Sequence, residues 1–420
     1  MDYSFTTLGA LLGLAIAIFL IIKKVQPAYC LILGALIGGL IGGGGLEVTV
    51  STMVSGAASM MSSILRILTS GILAGALIQT GSAQKIAETI VEKLGDRRAV
   101  VAIAAATMLI CAVGVFIDIS VITVAPIALA IGEKAGLSRS GVLLAMIGGG
   151  KAGNIISPNP NTIAVSEAFG QDLTAVMMKN AIPAVFALVC AVVLASMLAR
   201  KKGDAITASD MSGNAGRNLP SFGAAILGPV CVIVMLALRP LAGITIDPLI
   251  ALPAGGIICT LVTGNVRHLR EYTEFGLSKV IGVSILLIGT GTIAGIIKAS
   301  ALQYDVTSLL EAMHMPAFIL APLAGILMAG ATASTTAGAT VAAQTFSGTL
   351  TAAGVSGLAS AAMIHAGATV VDSLPHGSFF HATGGSVNMS ISERMKLIPY
   401  EAVIGLTSTA AATILYLITG

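Results

Sequence analysis

Two short stretches set prolines among amide and hydroxyl side chains inside otherwise apolar sequence: NIISPNPNTIA at 154–164 and SLPHG at 373–377. Proline removes a backbone donor and stops a helix, and polar side chains are costly in lipid. Ser157-Pro158 and Asn159-Pro160 each read as an N-cap followed by proline at the first helical position, and Pro375 reads as the same device in the second stretch. A helix restarting there presents free backbone N–H groups and the positive end of its dipole, which suits a carboxylate. Asn154, Ser157, Asn159, Asn161 and Thr162 in the first stretch, and Ser373, His376, Gly377 and Ser378 in the second, are therefore expected to bind a small anionic solute. Ser334, Thr335 and Thr336 add hydroxyls at a third point, either to the solute or to carbonyls of their own helix. Asp118, Asp372 and His376 are expected to couple transport to protons, since an ionisable group at membrane depth is by default functional and histidine titrates near neutrality. The bland alternative for Asp118 is a helix cap. His365 and His381 rank behind His376. Lys151 either attracts the anion or snorkels to the membrane edge, and Arg66 is expected in a structural pair.

The rest of the chain must hold these residues inside a membrane. Of its 420 residues 56% are hydrophobic and 10% are charged, against about 25% charged in soluble domains. Apolar runs of spanning length occur at 8–22, 29–45, 181–199, 222–238, 281–297 and 398–418. The first run follows an acidic, not a basic, segment and precedes Lys23-Lys24, so it reads as an uncleaved span with the N-terminus outside. A third span is expected at 52–80. The stretch 99–131 is too long for one crossing and is flanked by basic residues at both ends. It reads as a re-entrant hairpin with its tip near Gly114–Ser120, a second hairpin being expected at 316–345. Helices at 140–165 and 352–380 carry the breaks, and the polar stretch 200–221 is a cytoplasmic linker. This arrangement places 17 of the 22 lysines and arginines inside, as the positive-inside rule requires.

The two halves resemble each other. GILAG at 71–75 matches GTIAG at 291–295, and 140–164 matches 356–380, with offsets of 220 and 216. The charge distribution runs the copies in opposite directions, and inverted repeats with paired interrupted helices mark secondary transporters. The fold class expected is an all-α polytopic membrane protein with inverted repeats, two re-entrant hairpins and two broken helices. No HExxH or GxSxG pattern, metal-ligand spacing or strand-linked glycine cradle is present, so neither an enzyme nor a metal, cofactor or nucleic-acid binder is expected. The five cysteines are scattered through apolar segments and read as core residues.

The glycine-rich helix 71–90, FIDISVITVAP (116–126), SPNPN (157–161), ATASTTAG (331–338) and HGSFFHATGG (376–385) together resemble the gluconate permease (GntP) family of the ion transporter superfamily. The resemblance implies a proton-coupled elevator carrier for sugar acids or small hydroxy acids such as gluconate or glycerate, working as an inner-membrane homodimer. Residues 1–98 and 222–315 would then be scaffold, and 99–178 and 316–390 the moving part. Residues 179–221 (last helix of the first repeat and linker) and 391–420 (final helix) would join the scaffold. Asn159 and Asn161 stand where the family pattern has a histidine, and His376–Phe380 replaces an Asn-Asp-Ser-Gly-Phe-Trp-like run, which leaves the acid open. The alternatives are a sodium-coupled carboxylate carrier or sodium/proton exchanger and, from another class, a channel.

Overall fold

The computed structural model describes residues 4–95, 98–200, 206, 219–312, 316–375 and 377–419. His376 lies outside the described residues. The described chain is helical. Its first half holds α1 (Thr7–Ile22), α2 (Pro27–Ile41), α3 (Gly45–Ala58), α4 (Met61–Gln79), α5 (Ser82–Leu94), α6 (Ala99–Ala112), α7 (Ile117–Lys134), α8 (Arg139–Asn154), α9 (Pro160–Ala168), α10 (Leu173–Lys179) and α11 (Ala181–Ala199). The second half holds α12 (Phe222–Ala242), α13 (Pro248–Val262), α14 (Leu269–Lys298), α15 (Leu302–Ala312), α16 (Leu320–Thr332), α17 (Thr335–Ala352), α18 (Gly357–Gly367), α19 (Ser378–Gly385), α20 (Ile391–Met395) and α21 (Ile398–Thr419). Among the described residues, four helical stretches, at Gly45–Gln79, Ala181–Ala199, Val266–Lys298 and Ile391–Thr419, are long and apolar enough to cross a membrane.

The packing separates two groups of helices. In one, α1 lies on α2, α4 runs along α13 and α14, and α14 also lies against α2 and α3. In the other, α8 lies against α6, α7 and α11, α16 against α17 and α18, and α21 against α11 and α18. The groups meet where α14 touches α17, α4 touches α9 and α5 touches α6. Small residues set the crossing distances, as they must where apolar packing rather than water exclusion joins helices. A Cβ added at Gly149 in α8 would lie 2.0 Å from the carbonyl oxygen of Ala104 in α6, so nothing larger than glycine fits that crossing.

Several expectations about the elements are refined. The expected span 52–80 divides at Ser59–Met60 into α3 and α4. The hairpin-like pairs α6/α7 and α16/α17 turn at 113–116 and 333–334. Ala333 holds the second turn at φ 46°, a left-handed conformation that strains an L residue. Gly377 backs it closely: a Cβ there would lie 2.3 Å from the Ala333 carbonyl oxygen, so the second break and the second turn are pressed together.

Candidate functional site

A cavity of about 430 Å³ opens where the two groups meet. Three helix starts line it. Phe116 to Ile119 bring the first turn of α7, Thr332 to Ala337 the turn into α17, and Gly377 to Phe379 the start of α19. The opposite wall is the start of α2 (Gln26, Pro27) and a stripe of α14, Lys279, Gly282, Val283 and Leu286. Asp372 reaches the cavity from the second break. Of the residues expected to form a site, Asp118, Ser334, Thr335, Thr336, Asp372, Gly377 and Ser378 do meet here.

Local chemistry explains these starts. Ser334 caps α17 by accepting from the Ala337 N–H at 3.3 Å. Gly377 precedes α19 with no side-chain cap, which leaves the N–H groups of that first turn facing the cavity. Asp118 lies in the first turn of α7, half-buried, where the helix dipole favours a negative charge.

Asp372 is the most connected polar group of the site. Its Oδ1 accepts from Lys151 Nζ at 2.5 Å and from Ser373 Oγ at 3.1 Å, and its Oδ2 accepts from Thr335 Oγ1 at 2.6 Å. Lys151 also donates to the Thr369 carbonyl. The two charged side chains are 1% and 2% exposed. Lys151 therefore neither snorkels nor faces the solute; it neutralises the carboxylate of the second break from the helix that carries the first. Ser373 is buried behind Asp372 and away from the cavity lining.

The first break does something else. Asn159 accepts from the N–H groups of Asn161 and Thr162 at 3.0 and 3.1 Å, and donates to the Asn154 carbonyl at 2.9 Å and to Asn154 Oδ1 at 2.6 Å. Asn161 Nδ2 also donates to Asn154 Oδ1, at 3.0 Å. Asn159-Pro160 is thus a cap followed by proline at the first helical position, as the sequence predicts. Asn154, Ser157, Asn159, Asn161 and Thr162, expected to bind the solute, do not line this cavity. All five are buried, and their amides pair only in part with one another, Asn154 Nδ2 and Asn161 Oδ1 having no partner among the described residues. Ser157 caps nothing and its Oγ has no partner among the described residues. Pro375 likewise does not open a helix, because α19 begins at Ser378.

Arg66 is paired, as expected. It donates to both oxygens of Asp247 at 3.0 and 2.6 Å, to Ser62 Oγ at 2.6 Å, and to Glu167 at the end of α9. His365 is fully buried in α18, and His381 lies exposed with Nε2 2.8 Å from the Pro375 carbonyl oxygen. Among the described residues no group of histidine, cysteine, aspartate and glutamate could hold a metal ion.

The residue that sequence reasoning missed is Lys279. Helix α14 runs unbroken for 30 residues and carries it into the cavity wall. The available signal was helical continuity: 269–298 contains no proline or cap to end a helix before 279, and about 1.5 Å per residue places Lys279 some 15 Å along it.

Comparison with known proteins agrees with a transport role. The sequence profile described as "GntP family permease" matches residues 5–254. A protein of Haemophilus influenzae described as an uncharacterized transporter is 54% identical over 411 residues, covering 98% of each chain. The D-serine transporter DsdX of Escherichia coli is 21% identical over 78% of this chain and 79% of its own. The crystal structure of the Alcanivorax borkumensis YdaH transporter shares the fold, with a TM-score of 0.64 at 15% identity over 98% of both chains.

Proposed function

Since this chain belongs to the GntP permease family, we propose that it is a secondary active transporter of a small organic anion, a sugar acid or hydroxy acid such as gluconate or glycerate, moved with protons by an elevator mechanism. The observation that carries this reading is the cavity. Three helix starts and the Lys279 ammonium surround it, with the hydroxyls of Ser334, Thr335, Thr336 and Ser378 along the same walls. N-terminal dipoles and a cation select a carboxylate, and hydroxyls select the oxygens of a polyhydroxy chain. D-serine, carried by one relative, also combines a hydroxyl with a carboxylate.

The order of helices supports the duplicated architecture. Helices α7, α8, α9 and α10 each start 218 residues before α17, α18, α19 and α20. The Lys/Arg distribution supports opposite orientation of the copies, with the N-terminus outside. The moving unit we propose contains both turns and both broken helices. Helices α11 and α21, expected in the scaffold, pack on α8 and α18 rather than on α4 or α14, and we place them in the moving unit instead. In this scheme Asp118 and Asp372 carry the coupling protons, and His376 completes the second break. The protein works as a homodimer in the inner membrane.

Purified protein is screened for thermal stabilisation by sugar acids, hydroxy acids and D-amino acids, since a ligand at 100 times its Kd stabilises by about 2.7 kcal/mol. The acid that binds is then followed into proteoliposomes under a proton or a sodium gradient. Saturable, proton-driven uptake that Asp118→Asn abolishes, with membrane insertion intact, is the expected result. Uptake that follows sodium alone, or survives the substitution, refutes the coupling scheme.

A further inference from the structure

The cavity has two unlike walls. The helix starts of α7, α17 and α19 belong to the group around α8, while the α14 stripe belongs to the group around α4. Positions 279, 282, 283 and 286 follow one another along a single face of α14, and Lys279 is the only charged residue among them. Its ammonium sits 4.7 Å from the centre of the Phe275 ring on its own helix, and Asp118 lines the same cavity. Among the described residues no carboxylate forms an ion pair with it. Asp372, the other acid of the cavity, is already held by Lys151 and Thr335.

We infer that Lys279 is a substrate-binding residue supplied by the wall that stays still, so that the carried anion is gripped by both helix groups in this state and by only one after the turns have slid along α14. The inference rests on the carrier and elevator readings above. A ligand biases a two-state equilibrium only through its difference in affinity for the two states. A cation fixed to one group supplies such a difference, because the anion leaves it behind when the other group moves. Gly282, Val283 and Leu286 continue the face without a second charge to replace it. Lys279 thereby tightens binding on one side of the membrane and favours release on the other.

The chain contains no tryptophan, so Phe116→Trp at the first turn is a single fluorescent reporter of that wall. D-gluconate, D-glycerate and D-serine are titrated separately into the full-length reporter protein in nanodiscs, with Lys279 intact, as K279Q and as K279R. In the Lys279 protein a bound acid shifts the emission. K279Q is expected to weaken that acid by about tenfold, in the range of lost charge pairs that are partly solvated, and to lose the emission shift even at saturation. K279R restores most of both. Undiminished affinity in K279Q overturns the inference alone. Weakened affinity with a full emission shift at saturation also overturns it, since Lys279 would then travel with the turns. Failure of all three acids to bind the Lys279 protein overturns the inference together with the carrier reading.

Discussion

The two broken helices look like copies in sequence but are built from different chemistry. Between α8 and α9 lie five residues, and between α18 and α19 lie ten. The short break is neutral: Asn154, Asn159 and Asn161 bond to one another and cap the helix that follows, with Asn154 Nδ2, Asn161 Oδ1 and Ser157 Oγ left without partners among the described residues. The long break reaches outward. Asp372 takes its partners from α8 and α17, in opposite halves of the chain, and presents the rest of its surface to the cavity. A buried neutral network tolerates an unpaired donor or acceptor at about 1–3 kcal/mol each and calls for no partner cation. A buried carboxylate needs one, because its desolvation is offset only by a well-placed cation and hydrogen bonds. The first break therefore keeps its shape largely through its own neighbours, and the second joins the two halves beside the cavity.

Substitutions that exchange these characters break or sharpen the contrast. The largest effect is expected at the ion pair. Lys151→Met leaves Asp372 as a lone buried charge and should cost about 3–5 kcal/mol, while the double variant Lys151→Met/Asp372→Leu recovers much of it. Thermal unfolding in detergent measures both, and equal instability of single and double variants would deny that the pair is coupled. Next comes Asn159→Ala, which removes the cap of α9 and two donated bonds, for about 1–2 kcal/mol. Its affinity for the bound acid should stay within about twofold, since Asn159 is walled off from the cavity; a large loss of affinity would return the first break to the solute site. Smallest is Ser157→Ala. Deleting a buried hydroxyl without a partner among the described residues should change stability by less than about 0.5 kcal/mol. A drop as large as that of Asn159→Ala in the same unfolding assay would reveal a role for this hydroxyl.

Much of the architecture was legible along the chain. Apolar length placed the helices, Asn159-Pro160 placed the start of α9, and the stretches 114–120 and 331–336 placed the two turns. Those signals are local, since a proline, a cap or an apolar run acts on the residues beside it. The candidate site was only half legible. Residues at the turns met in the cavity as expected, because a turn tip has nowhere to hide its hydroxyls. The asparagines did not, since the same amides that suit a solute also suit one another, and only the backbone path decides which partner they find. Ser157 and Pro375 carry the sequence of a helix start, yet the chain turns helical three residues later in each case.

By itself, then, the order of residues determined a membrane-embedded helical chain, the places where its helices stop, and the family to which it belongs, all of which follow from neighbours in sequence and from hydrophobicity. Tertiary structure decided the charges. Lys151 with Asp372, Arg66 with Glu167 and Asp247, and Lys279 at the cavity wall join residues 100 or more apart or place a lysine by the rotation of a 30-residue helix. The energy of a buried charge depends on what packs around it in three dimensions, and no local pattern encodes that surrounding.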